Sequence, residues 1–356
     1  MKIAERRPIG RTTLEVSVLG FGGNALGNLY VAVEEEAARD SVLAAREAGI
    51  NYFDTAPLYG HGLSERRIGD ALRRFRREGF VLSTKVGRLL KPHGKNPPPR
   101  LSIAEGGIFT DELPFSPVFD FSYDATMRSF EDSLHRLGLD RVDLLLIHDA
   151  DAWSQVGNYE AALEQVEEGA LPALEKLRAE GVIGAFGAGV NQVEACERLL
   201  GIGPFDCFLL AGRYTLLEQG GLETLFPRCQ REGVSIILGA PFNSGILATG
   251  AVAGARYNYT PAPEGVLRRV VAIEHICAAH SVPLPAAALQ FGLGQPAVAS
   301  IIPGAKSSAE VEQIAAWMTQ SIPDGLWADL KAEGLLREDA PVPTGEDGGS
   351  LRDAEE

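Results

Sequence analysis

The sequence predicts a single (β/α)8 barrel, and the prediction depends on an alternation of two kinds of segment. Short apolar runs of strand character alternate with amphipathic stretches of helical spacing along nearly the whole chain of 356 residues. Eight strands are predicted, near Val16 to Phe21 and at Asn51–Asp54, Val81–Lys85, Val142–His148, Ile183–Val190, Phe205–Leu210, Val234–Ala240 and Ala299–Pro303. Strand–helix units of this kind imply parallel pairing with helical crossovers. Because the alternation never pauses for a second domain, the barrel is preferred to a doubly wound sheet.

The helical stretches each carry a periodic apolar face. In EEEAARDSVLAAREAG, Ala38, Val42, Ala45 and Ala48 recur at helical spacing, and EEGALPALEKLRAEG and EGVLRRVVAIEHICAAH have the same character. The opening segment RPIGRTTLEVSVLGFGG is predicted to form an N-terminal hairpin that leads into the first strand. We expect residues 1–339 to form the barrel.

Two segments interrupt the alternation. Arg88 to Asp120 is rich in Pro and Gly and follows the end of the third strand, so it is predicted to form a long loop over the barrel mouth. The functional interpretation of this loop is a lid or substrate wall, and the alternative is a surface excursion without a role. Residues 340–356 are polar and acidic and are expected to form a disordered tail.

Composition and charge exclude several classes of partner. The net charge of -15 is unsuited to an extended phosphate backbone, so no nucleic-acid partner is expected. The basic cluster of Arg73, Arg74, Arg76 and Arg77 is interpreted as a solvated helix end. No apolar run approaches about 18 residues, and MKIAERRPIG lacks the apolar core of a signal peptide. We therefore expect a cytoplasmic monomer or homodimer, off the membrane, with its four cysteines reduced.

Four polar side chains lie at or just beyond the ends of predicted strands. Asp54 and Tyr59 lie in FDTAPLYG, Lys85 ends VLSTK, and His148 ends DLLLIH. A barrel gathers the carboxyl ends of its strands around one mouth, so these side chains are expected to meet there. A lysine ammonium would lower the tyrosine pKa from its reference of about 10, a carboxylate would hold the lysine charged, and a histidine could bind the substrate oxygen. Each residue alone could be structural, whereas the four together predict a proton-transfer centre.

Two later loops are suited to binding phosphate. A (β/α)8 barrel often holds phosphate after its seventh and eighth strands, where this chain has PFNSGILATG and PGAKSS. Ordinary turn chemistry is the alternative explanation of both loops. GFGGNA, from Gly20 to Ala25, fits a loose dinucleotide pattern but does not open a helix directly, so a Rossmann site is rejected. Its glycines are interpreted as allowing a tight loop below the site, with Asn24 and Tyr30 next to the substrate.

Long, ordered motifs resemble the aldo-keto reductase superfamily over nearly the whole chain. They are FDTAPLYGHGLSERRIG, VLSTKVGRLL, MRSFEDSLHRLGLDRVDLLLIHD and IIPGAKSS. AGRYTLLEQGGLETL and LGAPFNSGILATG resemble more narrowly its aldose 1-dehydrogenase branch and the similar pyridoxal 4-dehydrogenases. The resemblance implies that Tyr59 is the general acid–base and that Lys85 modulates its pKa. It also implies that Asp54 partners Lys85 and that His148 orients the substrate oxygen.

The resemblance further implies a nicotinamide dinucleotide cofactor. It places the pyrophosphate near Phe242, Ser244, Gly245 and Leu247. It places the adenosine near Lys306, Ser307 and Glu310, and the nicotinamide carboxamide at Asn191. Where many relatives carry a basic residue for a 2′-phosphate, this chain has Glu310, which repels phosphate and can accept a bond from a ribose hydroxyl. Lys306 is a cation and would favour a 2′-phosphate. Because of Glu310, we nevertheless expect NAD in preference to NADP. Val190 and Ala211 stand where relatives carry Ser and Gln, so the carboxamide contacts carry over only in part.

The sequence and the resemblance predict an NAD(P)-dependent oxidoreductase that oxidises the anomeric hydroxyl of a free aldose, of the L-fucose or D-threo-aldose type, to its lactone. The alternatives are a pyridoxal 4-dehydrogenase or a general aldehyde or ketone reductase. A non-catalytic nucleotide-binding barrel is a further alternative, as is a metal-dependent lyase or isomerase with ligands at His148, Asp149 and Asp151, although no metal is expected. Specificity is expected to lie in the Arg88–Asp120 loop and in the segment containing Trp153.

Overall fold

The computed structural model describes residues 2–95 and 107–344, and its central element is a barrel of parallel strands. An antiparallel hairpin of β1 (Arg6–Pro8) and β2 (Glu15–Ser17) precedes it. The wall of the barrel consists of β3 (Phe21–Gly22), β4 (Tyr52–Asp54), β5 (Val81–Val86), β8 (Leu144–His148), β9 (Ala185–Val190), β10 (Cys207–Ala211), β11 (Ser235–Gly239) and β14 (Val298–Ile302). The strands are hydrogen-bonded to one another in this order, which confirms the predicted fold class.

The barrel closes between its first and last strands. Leu19 forms a parallel bridge with Ile301, and the Gly20 amide donates to the Ile301 carbonyl at 2.9 Å. The predicted first strand began too early, because Val16 lies in β2 and pairs antiparallel with Arg7. The apolar character of this segment does reflect burial, since the Val16 side chain is buried in the barrel interior. Val16 reaches that interior from the hairpin and not from a barrel strand.

Helices surround the barrel, in the expected alternation. In the described part of the chain they are α1 (Glu35–Glu47), α2 (Leu63–Leu72), α3 (Tyr123–Leu137), α4 (Tyr159–Gln165), α5 (Leu171–Ala179), α6 (Val193–Leu199), α7 (Leu225–Glu232), α8 (Ile246–Thr249), α9 (Glu264–Ala279), α10 (Leu284–Phe291), α11 (Ser308–Thr319) and α12 (Asp324–Ala332). Ser122 caps α3 by accepting from the Ala125 amide, and Gly138 ends it in the left-handed conformation.

Of the described helices, none alone is long and apolar enough to cross a membrane. The pair Glu264–Ala279 and Leu284–Gly294 meets the length and composition only when taken together, and it is bent by 101°. Every residue of α10 in that pair is buried in the protein core.

Strand side chains alternate between two cores. Phe53 and Leu145 belong to the larger core between the strands and the helices, whereas their neighbours Tyr52 and Leu146 belong to a second core inside the barrel. Ile9 of the N-terminal hairpin segment joins this interior core. The period of two along each strand therefore decides which residues point into the barrel.

Two hairpins and the tail depart from the sequence-based expectations. The segment from Arg88 to Asp120 is not simply irregular, since β6 (Arg88–Pro92) and β7 (Phe115–Phe119) pair in antiparallel register, while residues 96–106 lie outside the described ranges. A second hairpin, β12 (Arg256–Tyr257) with β13 (Thr260–Pro261), was not predicted. The expected tail begins later than residue 340, because Ala340 is buried and Val342 packs against the core. The rest of that segment, 345–356, is not described.

Candidate active site

Three of the four predicted side chains end strands that lie side by side in the barrel. Asp54, Lys85 and His148 are at or near the ends of β4, β5 and β8. The Lys85 Nζ donates to Asp54 Oδ2 at 2.6 Å and to the Thr55 carbonyl at 2.9 Å. On β9 a Cβ at Gly189 would lie 3.2 Å from Lys85 Cε, so this glycine leaves room for the lysine side chain. The strand order thus assembles a buried ion pair beside a histidine.

The Asp54 carboxylate is supported from inside the barrel by a hydroxyl pair that the sequence did not indicate. Ser83 Oγ donates to Asp54 Oδ1 at 2.7 Å, and the Tyr52 hydroxyl lies 2.9 Å from the same Ser83 oxygen. Burial raises the pKa of Asp54, while the charge and hydrogen bond of Lys85 and the hydrogen bond of Ser83 oppose that rise. The carboxylate is therefore held by donors on both of its oxygens.

Tyr59 reaches this centre from the loop that follows β4. Its ring centroid lies 4.7 Å from Lys85 Nζ and 5.8 Å from the His148 ring, which meets it edge-on at 89°. Gly27, in the 3₁₀ turn Gly23–Gly27, allows this placement, because a Cβ there would lie 2.5 Å from the Tyr59 carbonyl carbon. Gly23 of GFGGNA is packed as closely, since a Cβ there would lie 2.6 Å from the Asp54 carbonyl oxygen.

The pKa of Tyr59 differs in direction from the sequence-based expectation. Burial raises it well above its usual value, the Asp54 and Asp149 carboxylates raise it further, and Arg88 lowers it. The Lys85 ammonium is paired with the Asp54 carboxylate at 2.6 Å, and the charge of that carboxylate raises the pKa of Tyr59. At neutral pH Tyr59 is consequently a neutral phenol, the form that donates a proton.

His148 is held in its neutral form. Burial, followed by the charges of Lys85 and Arg88, lowers the pKa of His148 well below its usual value. Among the described residues, its Nδ1 atom is buried without a hydrogen-bond partner, and its Nε2 atom lies 3.6 Å from Asp149 Oδ2. A neutral imidazole beside a phenol can bind a substrate oxygen without competing for its proton.

These groups open into a cavity of about 1500 Å³ at the carboxyl end of the barrel. Tyr59, Lys85 and His148 line it, together with the predicted substrate neighbours Asn24 and Trp153. Aromatic side chains that the sequence did not single out contribute to its walls: Phe109, Phe115, Phe119 and Tyr259. Such a cavity suits a small molecule bound against apolar walls with a few polar groups at one end.

Tyr30, the other predicted substrate neighbour, is not one of the residues that line this cavity. The Arg256 guanidinium lies 5.1 Å from the centroid of its ring, so Tyr30 faces the β12–β13 hairpin. Residue 30 lies in a segment whose backbone turns through positive φ at Asn28 and Tyr30, and spacing along the chain does not predict that direction.

The predicted carboxamide-binding residue, Asn191, is held by two aspartates. Its Nδ2 donates to Asp149 Oδ1 at 2.9 Å and to Asp151 Oδ2 at 3.0 Å, and its backbone amide donates to Asp151 Oδ2 at 2.7 Å. Within residues 2–95 and 107–344, no group of three or more His, Cys, Asp or Glu could hold a metal ion. The two aspartates after His148 therefore serve as acceptors for Asn191.

The loop after the seventh barrel strand turns through left-handed backbone. Ser244 and Gly245 have φ values of 61° and 101°, and a Cβ on Gly245 would meet no atom within 4 Å. The amides of Gly245 and Leu247 donate to the Phe242 carbonyl at 3.0 Å and 3.1 Å, so both are engaged within the loop. Open space therefore lies beside this turn at Gly245.

The β12–β13 hairpin joins this loop to Asn191. The Tyr259 amide donates to Ser244 Oγ at 3.0 Å, and Arg213 Nη2 donates to Asn258 Oδ1 at 2.7 Å. Arg213 Nε donates to the Asn191 carbonyl at 2.9 Å. The two proposed halves of a dinucleotide site are thus connected through Arg213.

The residues expected at the adenosine end lie at the N-terminus of α11. Ser307 caps this helix by accepting from the Glu310 amide, and Glu310 Oε2 accepts from the Lys306 amide at 2.8 Å. The other carboxylate oxygen lies 3.7 Å from Lys306 Nζ. Glu310 therefore has a capping role in addition to any contact with a ribose, and Lys306 and Glu310 remain half exposed.

Relatives of known activity match the chain over most of its length. A pyridoxal 4-dehydrogenase from Microbacterium luteolum is 40% identical over 342 residues, which cover 94% of this chain and 99% of that protein. A D-threo-aldose 1-dehydrogenase from Pseudomonas sp. is also 40% identical, covering 91% of this chain and 95% of that protein. The chain is thus similar to two dehydrogenases with different substrates.

A solved structure and a family model also match most of the chain. The holo form of an aldo-keto reductase from Bacillus halodurans has a TM-score of 0.70 and 26% identity, covering 97% of this chain and 99% of that one. The model of the Aldo/keto reductase family matches residues 18–332, which include all eight barrel strands and the four assembled side chains. With this fold and these relatives, the chain belongs to the aldo/keto reductase family of oxidoreductases.

Proposed function

We propose that this oxidoreductase is an NAD(P)-dependent aldose 1-dehydrogenase, which oxidises the anomeric hydroxyl of a free aldose to the lactone. The observation that carries the proposal is the set of Tyr59, His148 and the buried Lys85–Asp54 pair at one end of a closed barrel. The D-threo-aldose 1-dehydrogenase that is 40% identical supports the choice of substrate.

Tyr59 and His148 divide the work on the substrate oxygen. In the oxidative direction the Tyr59 phenolate accepts the proton of the anomeric hydroxyl, and the bound nicotinamide supplies the hydride acceptor. The neutral His148 imidazole hydrogen-bonds the same oxygen, and Lys85 places a positive charge 4.7 Å from the Tyr59 ring. In the reverse direction the neutral Tyr59 phenol returns the proton to a carbonyl oxygen.

The described residues fit a dinucleotide. The open turn at Ser244 and Gly245 would hold the pyrophosphate, and Asn191 would hold the carboxamide through its side-chain oxygen. The N-terminus of α11, with Lys306, Ser307 and Glu310, would receive the adenosine. We propose NAD as the preferred cofactor, because the Glu310 carboxylate disfavours a 2′-phosphate next to it.

A pyridoxal 4-dehydrogenase is the second candidate function. It is supported by the 40% identical relative of that name and by the aromatic side chains around the cavity, which suit a planar ring. The hemiacetal of pyridoxal is chemically close to that of a cyclic sugar, so the same four residues would act on it.

The test is turnover with NAD and, separately, NADP across L-fucose, other free aldoses and pyridoxal, followed by the absorbance of the reduced nicotinamide. Turnover of an aldose with NAD is the expected result. If pyridoxal is oxidised and no aldose is, the second candidate function is correct and the proposed roles of the four residues are unchanged. If neither class is oxidised although nucleotide binds, the aldose proposal is wrong.

A further inference from the structure

A second ion pair, between Arg88 and Asp149, lies in the wall of the active-site cavity. Arg88 Nη2 donates to Asp149 Oδ2, and both side chains are largely buried, with exposed fractions of 14% and 12%. The central guanidinium carbon lies 3.9 Å from the centroid of the Phe119 ring, so the charge is in contact with an aromatic surface. Both charged residues line the cavity.

The hydrogen-bonding capacity of this pair is only partly used. A guanidinium has five N–H donors, yet the Arg88 Nε atom is buried and has no partner among the described residues. Because the Nε atom itself is not accessible, the donors that can reach a ligand oxygen are the Nη groups of Arg88, which lines the cavity. Asp149 Oδ1 accepts from Asn191 at 2.9 Å, which fixes the carboxylate while Oδ2 faces Arg88 and His148.

The Arg88–Asp149 pair lies next to the place where the reacting carbon of the substrate is proposed to bind. Asp149 Oδ2 lies 3.6 Å from His148 Nε2, the side chain that is proposed to bind the reacting oxygen. A substrate whose reacting oxygen lies against His148 and Tyr59 therefore places its neighbouring carbon next to Arg88 and Asp149. A hydroxyl on that carbon can accept from the guanidinium and donate to the carboxylate at the same time.

We propose that Arg88 and Asp149 are specificity residues that recognise the hydroxyl on the carbon adjacent to the one oxidised, the C2 hydroxyl of an aldose. The assignment depends on the proposed aldose 1-dehydrogenase function and names the substrate group that this site selects. It makes the enzyme selective for α-hydroxy hemiacetals, because a substrate without this hydroxyl leaves both buried charges without their ligand hydrogen bonds.

The test compares kcat/KM for L-fucose and for 2-deoxy-L-fucose, which differ only in the C2 hydroxyl. The wild-type protein should prefer L-fucose by about 10- to 100-fold, the factor that a hydrogen bond to a charged group supplies. Arg88→Met and Asp149→Asn should lose most of this preference: the ratio of kcat/KM for L-fucose to kcat/KM for the deoxy sugar should fall toward one, whatever change the two rates share through Asn191 or Tyr59. Asp149→Asn is the gentler variant, since Asn tolerates the positive φ of 56° at this position.

Controls separate specificity from structural damage. Arg128→Gln removes an exposed arginine from α3 and should leave the preference unchanged. Arg88→Lys keeps the charge and should restore part of the preference. Equal losses on both sugars in the Arg88 and Asp149 variants would overturn the assignment. Equal wild-type activity on both sugars would overturn it while leaving the aldose function intact, whereas no activity on either would overturn both.

Discussion

The two ends of the barrel interior are built from the same strands but have opposite chemistry. At the amino end the interior is apolar, with Ile9 and Val16 of the hairpin segment packed against Leu144 and Ile237. At the carboxyl end the interior holds Asp54, Lys85 and His148 in place of apolar side chains. The interior side chains change from apolar to polar within two residues on a strand, as from Leu146 to His148 on β8.

This difference shows how a barrel can carry buried charge. Alternation along each strand turns Asp54 and Lys85 toward the barrel interior, where the ion pair and the Ser83 hydroxyl satisfy the carboxylate. Burial of one of these charges alone would be costly, and the pairing offsets the cost. The amino end supplies the stability that allows the carboxyl end to hold ionisable groups in a fixed geometry.

The largest effect is expected from Lys85→Met at the carboxyl end. The substitution leaves the Asp54 carboxylate buried without its ion partner, so the free energy of unfolding should fall by about 3–5 kcal/mol. Turnover should fall by about 10²–10⁴-fold, because the positive charge beside Tyr59 is lost. Denaturant unfolding and steady-state kinetics measure the two effects.

The matched control for this prediction is the double variant Lys85→Met with Asp54→Leu. It removes both charges, so it should recover much of the lost stability without recovering turnover. If the double variant is no more stable than Lys85→Met, then the unpaired carboxylate is not the source of the loss.

At the amino end, Ile237→Ala should lower stability while leaving turnover nearly unchanged. Ile237 is fully buried in the interior core, and its truncation should lower the free energy of unfolding by about 2–5 kcal/mol while kcat stays within about threefold. Ile237→Val should cost about 0.5–1.5 kcal/mol. A large drop in kcat at a temperature where Ile237→Ala is folded would show that the two ends are not separable.

The raised pKa of Tyr59 predicts opposite pH dependences for the two directions of reaction. Oxidation needs the phenolate, so kcat/KM for the aldose should rise by about tenfold per pH unit from about pH 6 to pH 9. Reduction of an aldehyde uses the phenol and should stay nearly constant over that range. The charged groups that face Tyr59 are Asp54, Asp149, Arg88 and Lys85. A flat oxidation profile would contradict the assignment of Tyr59 as the proton acceptor.

The smallest effect concerns stability and His148. The folded-state pKa of His148 lies well below its usual value, so below about pH 6.5 the unfolded chain binds a proton that the folded protein excludes. Its contribution to stability is complete above that pH and declines as the pH falls, by at most about 1.4 kcal/mol per pH unit. The stability difference between the wild type and His148→Gln should therefore shrink between about pH 7 and pH 5. An unchanged difference would mean that the imidazole becomes protonated in the folded protein.

The sequence predicted the barrel and the meeting of Asp54, Lys85 and His148, because both follow from strand periodicity and the geometry of strand ends. It did not predict the roles of Ser83 and Arg88. Ser83 meets Asp54 because the two residues are paired in register on neighbouring strands, and Arg88 is positioned by the turn that leads into β6. Such contacts depend on three-dimensional register, which spacing along the chain does not specify.

The parts of the site built by loops were predicted least well. Tyr30 was expected at the substrate, but a left-handed backbone at residues 28 and 30 directs it toward the β12–β13 hairpin. That hairpin, which carries Tyr259 into the cavity wall, was missed because its strands are only two residues long. The pKa of Tyr59 was also expected to be lowered. Burial raises it instead, and the burial of a loop side chain depends on packing that the sequence does not show.

The most direct test of the proton-transfer centre is turnover and nucleotide affinity of Tyr59→Phe, measured with the aldose that the wild type oxidises. The substitution removes one hydroxyl and keeps the ring that contacts Lys85 and His148. Turnover should fall by about 10²–10⁴-fold while the Kd for the nucleotide stays unchanged. Turnover close to that of the wild type would contradict the account, because the proton would then pass through a different group.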